Sequence, residues 1–233
     1  MKIPLLTEIT DFIFPKICLV SGNKLSENNS NQYINDSVLK SLNRVNKNDL
    51  IELKLKLKSD ISLSFFRFQE ESDIQKVIHH LKYGGMRKLG RYLGLYIMKE
   101  LSNTDHYKSF GDFNVIAPVP LFQSKQRERG YNQSHYISEG VNEILKLKYI
   151  NDLITRVKNT KTQTHLKIKE RELNLKNAFK VNPDYTYEYE KMNVIIIDDV
   201  VTTGTTLNEI IKLLRKNGVE RIMCLTLAMT VYS

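Results

Sequence analysis

Cysteine is scarce in this 233-residue chain, with two in all, Cys18 and Cys224, widely separated. A pair so placed cannot build a disulfide framework, so a reducing compartment, the cytoplasm, is the expected setting. Glycine (10) and proline (5) are also few, and the hydrophobic fraction is an ordinary 41%. Collagen-like, mucin-like and wholly disordered chains are thereby excluded. Long apolar runs are missing too: no stretch approaches the roughly 18 apolar residues of a membrane span. The opening MKIPLLTEITDFIFPKICLV is broken by Pro4, by acidic residues and by Pro15, and reads as a poor signal peptide. What remains is a globular chain long enough for one sizeable core and a small appended lobe.

Lys and Arg total 35 against 26 Asp and Glu, a net charge of +9. Such an excess suits an anionic partner such as nucleic acid, polyphosphate or an acidic membrane face. Compositional bias is the competing account, because the chain is also crowded with Lys, Asn and Ile. Net charge does not say where charges cluster.

Neither internal repeats nor low-complexity tracts are evident. Residues 1–70 read as a small, irregular N-terminal lobe interrupted by Asn-rich turns, and residues 71–233 as the main domain. Within the lobe, Glu52-Leu-Lys-Leu-Lys-Leu-Lys58 alternates strictly. A strand there would put Leu53, Leu55 and Leu57 on one face and the lysines on the other, solvated. After Ser72 the period lengthens. Ile74, Val77, Ile78 and Leu81 form a helical stripe with Ser72 as N-cap and Gly84-Gly85 as its stop. A second stripe runs through Leu89, Tyr92, Leu93, Tyr96, Ile97 and Leu101. Beyond it, strands are expected at 115–119, 153–157, 192–198 and 221–230, and helices at 133–147 and 207–216. Alternation of strand and helix implies an α/β fold, a mostly parallel sheet flanked by helices.

The most informative segment is Val194-Ile-Ile-Ile-Asp198-Asp199-Val-Val-Thr202-Thr203-Gly204-Thr205-Thr206-Leu207. A buried strand carries two acids, turns through a Thr/Gly loop and enters a helix. Ligands bind at such carboxyl ends of strands in open α/β sheets. Gly204 permits a tight turn and close approach to an anion. Backbone N–H groups of the loop, the helix dipole and the hydroxyls of Thr202, Thr203, Thr205 and Thr206 can then face a phosphate. It is not a Walker loop, which places a Lys before the Ser/Thr. Two carboxylates would repel that phosphate, so they must bind something else on the same ligand. Ribose hydroxyls fit, and a 5′-phosphorylated ribose offers both features.

This segment resembles the phosphoribosyl-pyrophosphate (PRPP) binding motif of type I phosphoribosyltransferases. Further segments narrow the resemblance to the ComF family of ComFC/GntX-like competence proteins. They are Leu81-Lys-Tyr-Gly-Gly85, Leu89-Gly-Arg-Tyr-Leu-Gly94, Pro118-Val-Pro-Leu121, Arg127-Glu-Arg-Gly-Tyr-Asn-Gln133, and Thr160, Gln163, Leu166, Arg171, Asn174 and Phe179 in order. Members commonly open with a zinc knuckle of paired C-x-x-C motifs. Here Cys18 stands at the first ligand position and Ser21 at the next. His79, His80 and His106 do not restore the spacing, so no zinc is expected. Cys224 fits simple core packing.

The resemblance implies a pyrophosphate loop after strand 115–119, with Arg127, Arg129 and Gly130 at the diphosphate. Lys125 and Arg127 also fit a solvated basic loop. Asn132 and Gln133 could cap the next helix or touch ligand. The stretch from Arg156 to Arg171 resembles the flexible hood of the superfamily. Arg171 is its candidate catalytic residue beside Asp198 and Asp199, while His165 reads as a loop residue. The implied reaction is displacement at the ribose anomeric carbon with loss of pyrophosphate, Mg²⁺ entering on ligand oxygens rather than in a protein cage. The implied small-molecule partner is phosphoribosyl pyrophosphate or a nucleotide, and the family also implies a link to DNA uptake, with single-stranded DNA and a competence helicase as further partners. Two other readings stay open: a single-stranded-DNA-binding module without catalysis, and a regulator that senses the ligand. Tyr83 and Tyr131 are candidate stacking platforms or core-edge residues. The acceptor substrate is not spelled by any segment.

Overall fold

The computed structural model describes residues 15–158, 175–186 and 188–231. Strands β1 (Ile61–Phe68), β2 (Val115–Pro118), β3 (Lys148–Tyr149), β6 (Asn193–Val201) and β7 (Arg221–Thr230) form one sheet in the order β1-β7-β6-β2-β3. Every pairing in it is parallel. Short strands β4 (Ile154–Arg156) and β5 (Phe179–Val181) make a separate antiparallel pair. The helices are α1 (Asp36–Ser41), α2 (Lys47–Lys56), α3 (Asp73–Tyr83), α4 (Arg87–Leu101), α5 (Gln123–Arg129), α6 (Gln133–Leu145) and α7 (Thr205–Lys216).

Central strand β6 shows why this sequence makes a covered parallel sheet. Val194, Ile195, Ile196 and Ile197 are all fully buried, as a strand with helices on both faces requires. Ile195 and Ile197 join the core beneath α3, α4 and α6, whereas Val194 and Ile196 join the core beneath α7. Each such side chain taken out of water contributes about 1.5–3 kcal/mol.

Helices α4 and α6 cross unusually closely. A Cβ on Gly94 would lie 2.2 Å from the Ile137 carbonyl oxygen, and one on Gly140 would lie 2.0 Å from that of Arg91. Only glycine permits this contact. Asn132 caps α6 by accepting from Ser134 N at 3.1 Å, and the helix begins beside the acids of β6.

Several expectations need correction. The alternating run 52–58 is not a strand: it lies mostly in α2, whose start is fixed by a capping box between Asn46 and Asp49. Leu53 and Leu57 are buried, one helical turn apart, but Leu55 is 84% exposed. The expected boundary at residue 70 also shifts. β1 belongs to the main sheet, with Ile61 opposite Met223 and Phe68 opposite Thr230. The 153–157 segment pairs with β5 instead of joining that sheet. β6 runs on through both acids to Val201. Ser72 occupies the N-cap of α3 without a side-chain cap bond, its hydroxyl donating to the Gln69 carbonyl at 2.6 Å.

The rest of the N-terminal region rests on the α4 side of the core through Cys18, Leu25, Ile34, Leu39 and Leu42. Cys18 is buried, and its Sγ accepts from Asn35 N at 3.3 Å. Among the described residues no cluster of three His, Cys, Asp or Glu comes together. Nor is any helix among them long and apolar enough to cross a membrane.

Candidate functional site

Leaving β6, the chain turns through loop 202–206 into α7. Gly204 sits at the helix N-cap with φ +77°, a left-handed conformation that suits glycine. The first N–H groups of α7 have no acceptor within the helix and stay available for an anion. Thr203 Oγ1 and Thr205 Oγ1 are 2.8 Å apart. Asp198, Thr202, Thr203, Gly204, Thr205 and Thr206 line a small cup of about 30 Å³. Thr202 is exposed, Thr203 and Thr206 are half-buried, and Thr205 is buried. The end of α2 packs behind this loop: a Cβ on Gly204 would meet Leu57 Cδ2 at 2.7 Å. Asn208 fastens the two together, donating to the Lys56 carbonyl at 3.0 Å and accepting from Lys58 N at 2.9 Å.

The two acids differ. Asp198 is half-buried at the cup; its Oδ1 accepts from Ser134 Oγ at 3.0 Å and from Asp199 N at 2.9 Å. Asp199 is 4% exposed and points away from the cup's lining. It forms an ion pair with Lys82 Nζ at 2.8 Å and accepts from Gln133 Nε2 at 3.3 Å. Burial, and then the neighbouring Asp199 charge, push Asp198 up to about 7. Burial would raise Asp199 too, but the Lys82 ammonium outweighs it and holds that carboxyl below the usual range.

Cations gather around these acids. Arg129 Nη1 donates to Gln133 Oε1 at 3.0 Å, which connects it to Asp199 through one amide. Burial lowers Lys125, helped by the charges of Arg156 and Arg129. Burial also lowers Arg156, with Asp198 opposing. Lys82 from α3, Lys125 and Arg129 from α5 and Arg156 from β4 thus converge, an electropositive surround suited to a polyanion. Gly130 closes α5 in the left-handed region at φ +73°, and its carbonyl accepts from Arg87 Nη2 at 3.0 Å. A cleft of about 410 Å³ opens alongside, lined by Arg87, Gln126, Gly130, Tyr136, Asn151 and Arg156 among others.

Of the residues singled out in the sequence, Asp198, Asp199, the Thr/Gly loop and Arg129 come together. Arg127 is exposed and joins none of the contacts just described. Arg171 and His165 lie outside the described residues. Tyr131 is buried, its hydroxyl donating to the Leu81 carbonyl, and Tyr83 is 58% exposed under the Arg129 guanidinium. Sequence reasoning assigned no role to Lys82 or Ser134, and Arg156 entered it only as the start of the hood-like stretch. Lys82 lay in a motif already singled out, but its partner is distant in the chain.

A model for the phosphoribosyl transferase domain matches residues 145–230, spanning β3 to β7. The DNA utilization protein YhgH of Escherichia coli K12 is 30% identical over 158 residues, covering 68% of this chain and 68% of that protein. The chain belongs to the ComF family. Competence protein F of Haemophilus influenzae is 38% identical over 168 residues, 72% of this chain; the match spans 66% of that relative's length. Competence protein ComFC of Bacillus subtilis is 31% identical over 104 residues, covering 45% and 39% of the two chains. Among solved structures, a glutamine PRPP amidotransferase from B. subtilis superposes with a TM-score of 0.39 at 17% identity, over 68% of this chain and 28% of that one. The family and the parallel sheet together give this ComF chain the type I phosphoribosyltransferase fold.

Proposed function

We propose that the chain binds PRPP and transfers its phosphoribosyl group, in service of the handling of incoming DNA. The supporting observation is the convergence at the end of β6: a glycine-turned threonine loop opening a helix, a half-buried carboxylate in its cup, and four cations opposite. The 5′-phosphate accepts hydrogen bonds from the N–H groups and hydroxyls of 203–206. Asp198 takes ribose hydroxyls, and Arg129 takes the diphosphate. In the reaction the bond from the anomeric carbon to the diphosphate oxygen breaks, pyrophosphate leaves with the bonding pair, and an acceptor lone pair forms the new bond. Asp198 favours the positive charge that develops on the ribose ring. Mg²⁺ fits as a companion of the ligand's diphosphate, since this hard ion keeps mostly water and phosphate oxygens. When bound it neutralises charge on the leaving group. No zinc role is proposed for the N-terminal region, where Cys18 Sγ accepts a backbone hydrogen bond.

The names of the E. coli, H. influenzae and B. subtilis relatives support the link to DNA, and the +9 charge is compatible with single-stranded DNA as a partner. Calorimetry with PRPP and Mg²⁺ tests the reading: saturable binding is expected, and its absence overturns it. Pyrophosphate release in the presence of an acceptor separates transfer from sensing. Titration with a single-stranded oligonucleotide over a salt series, giving a steep slope, separates DNA binding from both.

A further inference from the structure

We propose that Lys82 is an anion-binding and positioning residue of this site: its ammonium fixes the Asp199 carboxylate and presents its remaining N–H donors to the diphosphate of the ligand. The inference rests on the reading of the site as a PRPP site and adds a residue to it. The pair has the character of site machinery. Asp199 and Lys82 side chains are 6% and 24% exposed, so the contact lies at the floor of the cluster, where solvent screens it weakly. A buried carboxylate beside a second acid needs a counter-ion, but burying an ion pair is a poor route to stability alone, since desolvation offsets much of the attraction. A lysine ammonium carries three N–H donors; among the described residues Asp199 is its ion-pair partner.

The backbone that carries Lys82 is tied to the pyrophosphate loop from both sides. The residue before it, Leu81, is fully buried, and its carbonyl accepts the Tyr131 hydroxyl. The residue after it, Tyr83, lies with its ring centroid 5.3 Å from the Arg129 guanidinium carbon. Gly84 then ends α3, its N–H donating to the His80 carbonyl at 2.8 Å. Lys82 therefore sits in a last turn of helix that is tied on both sides to the end of α5 and the turn after it. Lysine and arginine together suit a diphosphate, one as a point charge and the other as a fork.

The test compares two ligands, PRPP and ribose 5-phosphate, which share the phosphate and ring but differ in the diphosphate. Calorimetric affinities are measured with Mg²⁺ for the wild-type chain, Lys82→Met and Lys82→Arg. Lys82→Met is expected to lose about 10²-fold in PRPP affinity, the scale of one charged transition- or ground-state contact, and less than about threefold for ribose 5-phosphate. Lys82→Arg is expected to recover most of the PRPP loss. Equal losses for both ligands, or none, would overturn the assignment and leave the ion pair a merely structural tie. Lys82→Gln, checked by thermal unfolding, replaces Lys82→Met should the latter fail to fold. If the wild-type chain binds neither ligand, the PRPP reading itself falls and this inference with it.

Discussion

The threonine loop 202–206 and the N-terminal region both hold irregular backbone, and they do it in opposite ways. At the end of β6 the loop is wedged between buried apolar side chains, with Leu207 beneath it and Leu57 behind Gly204, and its charges are matched across elements. Around residues 26–36 the chain is held by its own amides. Asn29 Nδ2 donates to the carbonyls of Asn31 and Ile34 at 2.7 and 2.8 Å, and Asn31 Oδ1 accepts from the N–H groups of Tyr33 and Ile34 at 2.9 and 2.8 Å. Asp36 gathers Ser30 N at 2.8 Å and Ser30 Oγ at 2.6 Å. Local side-chain-to-backbone bonds of this kind stabilise turns without a core. A site built on distant partners can respond to a ligand, whereas one built on neighbours mainly keeps its own shape.

The sharpest way to probe that contrast is Asp198→Asn. PRPP-dependent turnover is expected to fall about 10²–10³-fold in a chain that remains folded, measured as pyrophosphate release and by thermal unfolding. The same variant has a pH signature. Burial and then the Asp199 charge push Asp198 up to about 7 in the folded chain, above its ordinary 3.8. Between those values the folded state binds more protons than the unfolded state, so stability falls as pH rises through this window. Asp198→Asn should flatten that slope in denaturant melts collected from about pH 4 to 7. A slope that survives in the variant would place its origin elsewhere.

Gly204→Ala comes next. A side chain at φ +77° is strained, and its Cβ would press on Leu57, so a loss of about 1–3 kcal/mol in stability is expected with weaker PRPP binding. Asn31→Ala strikes the other region. It leaves two backbone N–H groups short of an acceptor and should cost about 1–2 kcal/mol, with PRPP affinity unchanged by calorimetry. A matching loss of affinity would mean that the two regions are less separate than their bonding suggests. Smallest of all is Leu55→Ser, expected within about 0.5 kcal/mol because the side chain is 84% exposed. A strand reading would have made it costly.

That last case shows where the sequence was readable. Period and punctuation placed α3, α4, α7, β6 and β7, since each buries a long stripe or run with a clear stop. The 52–58 run misled because a leucine at every second position also gives Leu53 and Leu57 at a helical interval. The deciding signal was the Asn46/Asp49 box upstream, which fixes a helix start. β1 was assigned to a lobe because nothing local says which sheet a strand joins; its partner β7 lies at the other end of the chain. The acid pair and threonine loop were legible because one continuous segment carries them. Their division of labour was not, since it depends on Lys82, Gln133 and Ser134 arriving from other elements.

Asn208 clasps Lys56 and Lys58 with one amide, which has a practical consequence for trimming the protein. A shortened version beginning at the expected boundary would strip the first turn of α7 of this brace, bare the back of Gly204 and delete an edge strand of the sheet. The smallest self-sufficient fragment must begin no later than the Asn46 cap, and any cut downstream of it should loosen the entry to α7.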